Sequence, residues 1–138
     1  MILPTQGANV SNGTYSTVGG GRLNTASGQY ATISGGYGNT LSSDYGTISG
    51  GYNNLASQTF AVVAGGGNNA ASGDRSSVLG GRQNTSSGYQ ATLGGGKSNT
   101  SSGYTSFVGG GITNTASGNC STVGAGHTNT ASGNFSAI

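Results

Sequence analysis

Aliphatic side chains return along this chain at a fixed interval of 15 residues: Leu3, Val18, Ile33, Ile48, Val63, Val78, Leu93, Val108, Val123 and Ile138. Two residues ahead of each one, from Ser16 onward, stands a serine, alanine or glycine. A second small-residue column runs Ala26, Leu41, Ala56, Ala71, Ser86, Ser101, Ala116 and Ala131. Polar positions keep the same beat. Asparagine occupies Asn9, Asn24, Asn39, Asn54, Asn69, Asn84, Asn99, Asn114 and Asn129. Glycine occupies Gly21, Gly36, Gly51, Gly66, Gly81, Gly96, Gly111 and Gly126, and serine runs from Ser27 to Ser132 at the same spacing. A period that never slips is what a solenoid requires, because each coil must seat on the one before it.

The period is too short for helix pairs, and Gly, Ser, Thr and Asn are poor helix formers. Two extended segments fit one coil: Tyr15–Val18 and Asn24–Ser27, each bounded by glycine. Side chains alternate along a strand, so Ser16 and Val18 share one face and Tyr15 and Thr17 the other. The aliphatic column (Val18, Ile33, Ile48, Val63, Val78, Leu93, Val108, Val123) marks the inward face, and the Ala26 column is its partner across a thin core. Each strand then pairs with its copies above and below at about 4.8 Å, so nine coils span roughly 43 Å. The expectation is an all-β parallel β-solenoid, a β-roll or β-helix, forming one repeat domain over residues 1–138. The Gly21 column would make the corners, where positive φ and close backbone approach favour glycine. The Asn column would either sit in a left-handed corner or stack its amides in a ladder.

Composition narrows the classes of function. Charged residues make up 4% of the chain and the net charge is +2, which gives no electrostatic footprint for nucleic acid or an anionic membrane. One cysteine, Cys120, allows no internal disulfide or thiolate metal cluster. The longest apolar run is Phe60–Ala64, far short of the ~20 residues of a membrane span. No signal peptide is visible at Met1.

The halves Ser16-Thr17-Val18-Gly19 and Asn24-Thr25-Ala26-Ser27-Gly28 recur from Leu3 to Ile138. This repeat resembles the head repeats of trimeric autotransporter adhesins. It is similar also to the YSTVGGGxxNTASG repeats of phage-type and bacterial tail-fibre-like proteins. The usual adhesin head repeat is one residue shorter. The resemblance implies a left-handed β-roll, often trimeric, in an extracellular fibre or adhesin on a cell or virion surface.

Candidate chemistry is sparse. Gly94-Gly95-Gly96-Lys97-Ser98 comes nearest to a phosphate loop but lacks the upstream glycine spacing and the following helix. His127, Asp44 and Asp74 assemble no base–nucleophile set, and aspartates do not recur per coil as calcium repeats require. No catalytic residue, metal ligand or cofactor is expected, and the chain is not expected to be an enzyme. Three stripes remain as candidate contact surfaces. Arg22, Arg82 and Lys97 share a corner column with His127, where they could hold a polyanion or acidic glycan. Tyr15, Tyr30, Tyr45 and Phe60 form an outward aromatic column, displaced by one residue at Tyr89 and Tyr104, that suits a subunit contact or a glycan. Threonines recur in the Thr17 and Thr25 columns, as an ice-binding face would require, but Leu55, Val62, Ala70 and Phe107 interrupt them.

The sequence reading is therefore a structural solenoid of an extracellular fibre, assembled with itself as a homotrimer or filament. A surface-binding module for glycan or host is the alternative. Neither end offers a helix or charged cap; Pro4 and Thr5-Gln6 are the only blunting features at the start. Either the chain is a segment of a longer fibre or its coils stack end to end.

Overall fold

The computed structural model describes residues 7–138. Leu3, Pro4 and Thr5-Gln6 lie outside the described residues. Among the described residues every regular element is a two-residue β-strand, and all strand pairings are parallel. Nine strands, from Val10–Ser11 through Thr25–Ala26 to Thr130–Ala131, form one sheet. Eight strands, from Thr17–Val18 to Thr122–Val123, form a second. Each strand pairs with the strand 15 residues on, Thr25 with Thr40 and Val18 with Ile33, and the register holds through the stack. The chain is a β-solenoid of 15-residue coils. A third ladder of single bridges runs up one corner through Arg22, Tyr37, Tyr52, Gly67, Arg82, Lys97, Ile112 and His127.

The extended segments are shorter than the sequence pattern suggests. Tyr15, Tyr30, Tyr45 and Phe60 are not strand residues; their φ angles lie between 56° and 58°, in the left-handed region. The Leu23 column does the same, with Leu23 at 60° and Asn53 at 49°. The hydrogen bonds explain both departures. Along the strands each N–H donates to the coil that follows, as Thr25 N–H does to Asn39 O at 2.8 Å. At a left-handed residue the peptide turns over and its N–H donates to the coil before. Tyr30 N–H reaches Thr14 O at 2.8 Å, and Gly38 N–H reaches Arg22 O at 3.0 Å. Two such corners per coil close the loop while keeping the backbone groups paired.

The interior holds five columns. Val18 is half-buried; Ile33, Ile48, Val63, Val78, Leu93, Val108 and Val123 are fully buried. The small residues of the Ser16 and Ala26 columns face them, and the Gly28 column closes the wall. There an added Cβ would strike the carbonyl of the next coil, as at Gly28 against Ser43. Where one coil departs, another position compensates. Leu41 and Ser43 enlarge two interior columns, and the inward residue that follows is Gly46, where a Cβ would meet Leu41 Cδ1 at 2.7 Å and also the Ser43 hydroxyl.

The fifth column is asparagine. Asn24, Asn39, Asn54, Asn69, Asn84, Asn99 and Asn114 are buried, and their amides form a ladder along the axis; Asn129 continues it half-buried. Asn69 is typical. Its Oδ1 accepts the Asn84 N–H at 2.9 Å, and its Nδ2 donates to Gly65 O and Gly81 O, both at 2.9 Å. Its own N–H donates to Asn54 Oδ1 at 3.0 Å. Each amide thus completes the backbone where the left-handed corner breaks the ladder, in its own coil and in the next. The Gly21 column packs against it. All eight glycines from Gly21 to Gly126 have positive φ, and at Gly66 a Cβ would strike the Gly81 carbonyl and approach Asn69 Nδ2 to 2.7 Å.

Candidate functional site

Because the interior is filled, any chemistry must lie on the outside of the solenoid. That surface has two sheet faces and two edges. All the formally charged side chains stand on the edges. The faces present hydroxyls and small apolar groups: the Thr17 column on one, the Thr25 and Ser27 columns on the other. Leu55 and Ala70 interrupt the second face, and Val62 and Phe107 the first.

One edge carries a stack of rings. The left-handed corner projects Tyr15, Tyr30, Tyr45 and Phe60 straight outward, one per coil, with successive centroids 5.1 Å apart. Interplanar angles of 15–18° make this a near-parallel stack along the axis. Each such pair contributes about 0.5–1.5 kcal/mol, an amount comparable to the cost of holding a bulky residue at positive φ. The displacement of the aromatic column is bridged by Arg75. Its guanidinium lies 5.4 Å from the Phe60 ring and 5.7 Å from the Tyr89 ring, and it donates to Tyr89 Oη at 3.1 Å. Tyr89 and Tyr104 then resume the stack at 5.1 Å. Seven side chains form one column. The inner ring faces are covered by their neighbours, and among the described residues no ring covers the outer faces of Tyr15 and Tyr104; along most of its length the column offers ring edges and phenol hydroxyls to a partner. Arg75 is not among the candidate residues read from the sequence, although it stands in the aromatic column, 15 residues after Phe60.

The carboxylates lie on this same edge. Asp74 accepts from Arg75 Nη1 at 3.2 Å, an exposed pair of small energetic weight. Asp44 accepts the Gln29 N–H at 2.7 Å. Cys120 is free and exposed, with Sγ 3.1 Å from Thr105 Oγ1.

The opposite edge carries the single-bridge column. Arg22, Arg82, Lys97 and His127 stand in it, and no carboxylate does. Tyr37 and Tyr52 stack there at 5.5 Å with an interplanar angle of 7°. His127 Nδ1 lies 2.9 Å from its neighbour Thr128 Oγ1. Among the described residues no three His, Cys, Asp or Glu side chains are placed to hold a metal ion. Nor, among these residues, is any helix long and apolar enough to cross a membrane. Gly94–Lys97 is one more corner of the solenoid and leads into no helix.

Comparison with family models gave no match to this chain, and comparison with curated proteins gave no significant match.

Proposed function

We propose that this chain is a structural segment of an extracellular fibre on a cell or virion surface, and that it works by association with copies of itself. The observation that carries the reading is the unbroken 15-residue register with its interior asparagine ladder. Such a stack is a rod whose stability grows with every coil added, since each coil contacts only its neighbours. The resemblance of the repeat to trimeric adhesin heads and tail-fibre-like proteins supports the setting. The outward aromatic column supplies apolar area that a thin core leaves for a neighbouring copy to cover. Sedimentation velocity and negative-stain imaging over a range of concentrations test the reading. A discrete trimer or growing filaments support it; a monomer at all concentrations overturns it.

A second reading, a surface-binding module for glycan or host surface, is favoured by one feature. The Arg22–His127 edge sets cations beside stacked tyrosines with no carboxylate among them.

A further inference from the structure

On that edge one rung is missing a side chain. The column runs Tyr52, Gly67, Arg82, Lys97, with each residue bridged to the next. The other seven members of the column are large: Arg, Tyr, Tyr, Arg, Lys, Ile and His. The fold does not require glycine at position 67. Its φ is not positive, and an added Cβ would meet nothing nearer than Tyr52 O at 3.8 Å. Contrast Gly66 beside it, where φ is +84° and a Cβ would strike backbone. Gly67 therefore opens a notch in an otherwise continuous row.

The walls of the notch are specific. Tyr52 is half exposed and stacks with Tyr37 on one face, leaving its other face toward the gap. Arg82 bounds the far side two rungs away, about 10 Å on the ladder spacing. That distance admits one ring, thicker than a flat aromatic, between phenol and guanidinium. Lys97 stands one rung further on. Neither Arg82 nor Lys97 has an ion pair or side-chain hydrogen bond among the described residues. The neighbouring left-handed column sets Asn68 and Gln83 beside the gap.

We propose that the Gly67 notch binds one acidic sugar residue, a uronate or sialate unit of an anionic polysaccharide. The C–H face of the pyranose lies on the Tyr52 ring, whose π-face attracts positively polarised C–H groups. The carboxylate pairs with the planar fork of Arg82, with Lys97 adding charge. The Asn68 and Gln83 amides hydrogen-bond the ring hydroxyls. The aromatic stack on the opposite edge offers no such pairing, because its Arg75 is already held by Asp74 and by the Phe60 and Tyr89 rings. This inference rests on the second reading, a glycan-binding edge, and is independent of self-association.

The test titrates four probes into the intact protein, followed by the NMR signals of the Gly67 amide and Tyr52 ring. The probes are a galacturonic acid hexamer, sialyllactose, neutral maltohexaose and the oligonucleotide dT6. Binding of an acidic sugar that shifts these signals is expected, weakened at least about tenfold in both G67Y and R82Q. G67Y fills the notch at a position with room for a side chain, and its circular dichroism and melting should match the parent. R82Q keeps the notch and removes the charge on an exposed side chain, so it tests the proposal without G67Y. Three results overturn the proposal: no acidic sugar binds at millimolar concentration, maltohexaose or dT6 binds as tightly, or binding persists unchanged in R82Q.

Discussion

Replacing Asn69 with alanine removes one amide from the middle of the ladder, and the structure gives the size of the loss. Three hydrogen bonds go: Nδ2 to Gly65 O, Nδ2 to Gly81 O, and Asn84 N–H to Oδ1, each 2.9 Å. They are not equivalent. The Asn84 N–H is left buried without an acceptor, at a cost of about 1–3 kcal/mol. The Gly65 residue is half-buried, and the lost bond to its carbonyl costs about 1 kcal/mol. The Gly81 carbonyl still accepts from Gly67 N–H at 3.0 Å and loses a second bond, again about 1 kcal/mol. The sum is about 3–5 kcal/mol, or a drop in melting temperature on the order of 10–20 °C for a chain of this size. Asn119→Ala, at an exposed asparagine outside the ladder, is the control and should change stability by no more than about 0.5 kcal/mol. Thermal and urea melts read both variants. Hydrogen exchange adds location: protection should fall first in the coils around Asn54, Asn69 and Asn84, since coupling in a solenoid is between nearest neighbours. If Asn69→Ala costs no more than Asn119→Ala, the amides are not what completes the corners.

Three further outcomes follow from the packing. Gly66→Ala should cost about 2–5 kcal/mol, from positive φ and the collision with the Gly81 carbonyl, whereas Gly65→Ala, facing open space, should be near neutral in the same melts. Gly46→Ala should cost about 1–3 kcal/mol alone but little in a Leu41→Ala, Ser43→Gly background; a double-mutant cycle without coupling refutes the compensation. Among the described residues Ser121 Oγ is the one buried side-chain polar atom without a partner, and the same column takes alanine at Ala31, Ala61 and Ala91. Ser121→Ala should therefore raise stability by about 1 kcal/mol, seen as a higher urea midpoint; a lower one refutes it.

The period, the two strands per coil and the inward aliphatic column were legible because a solenoid repeats its environment, so one column carries one physical requirement many times. Corner geometry was less legible. The Leu23 column contains Gly38, Asn53 and Asn68, residues that tolerate the left-handed region, and that was a usable signal. The Tyr15 column gave none, since aromatic residues avoid positive φ; there the hydrogen-bond demand of the coil overrides local preference. Asn24 left two options open because asparagine satisfies both a left-handed corner and an amide ladder. Burial beside the Gly21 column selects the ladder and moves the left-handed residue one position earlier. Gly67 was visible in the corner column, but only the backbone angle and the open space around it separate it from the glycines that the corners require.

Distances along the rod test the central claim most directly. Spin labels at Ser27 and Ser87, and at Ser27 and Ser117, in a Cys120→Ser background stand four and six coils apart in one exposed column. Labelled protein diluted into unlabelled protein removes separations between copies. Pulsed electron–electron resonance should give about 19 Å and about 29 Å, an increment of about 4.8 Å for each 15 residues. Separations that do not increase with the number of coils would contradict a continuous stack in register.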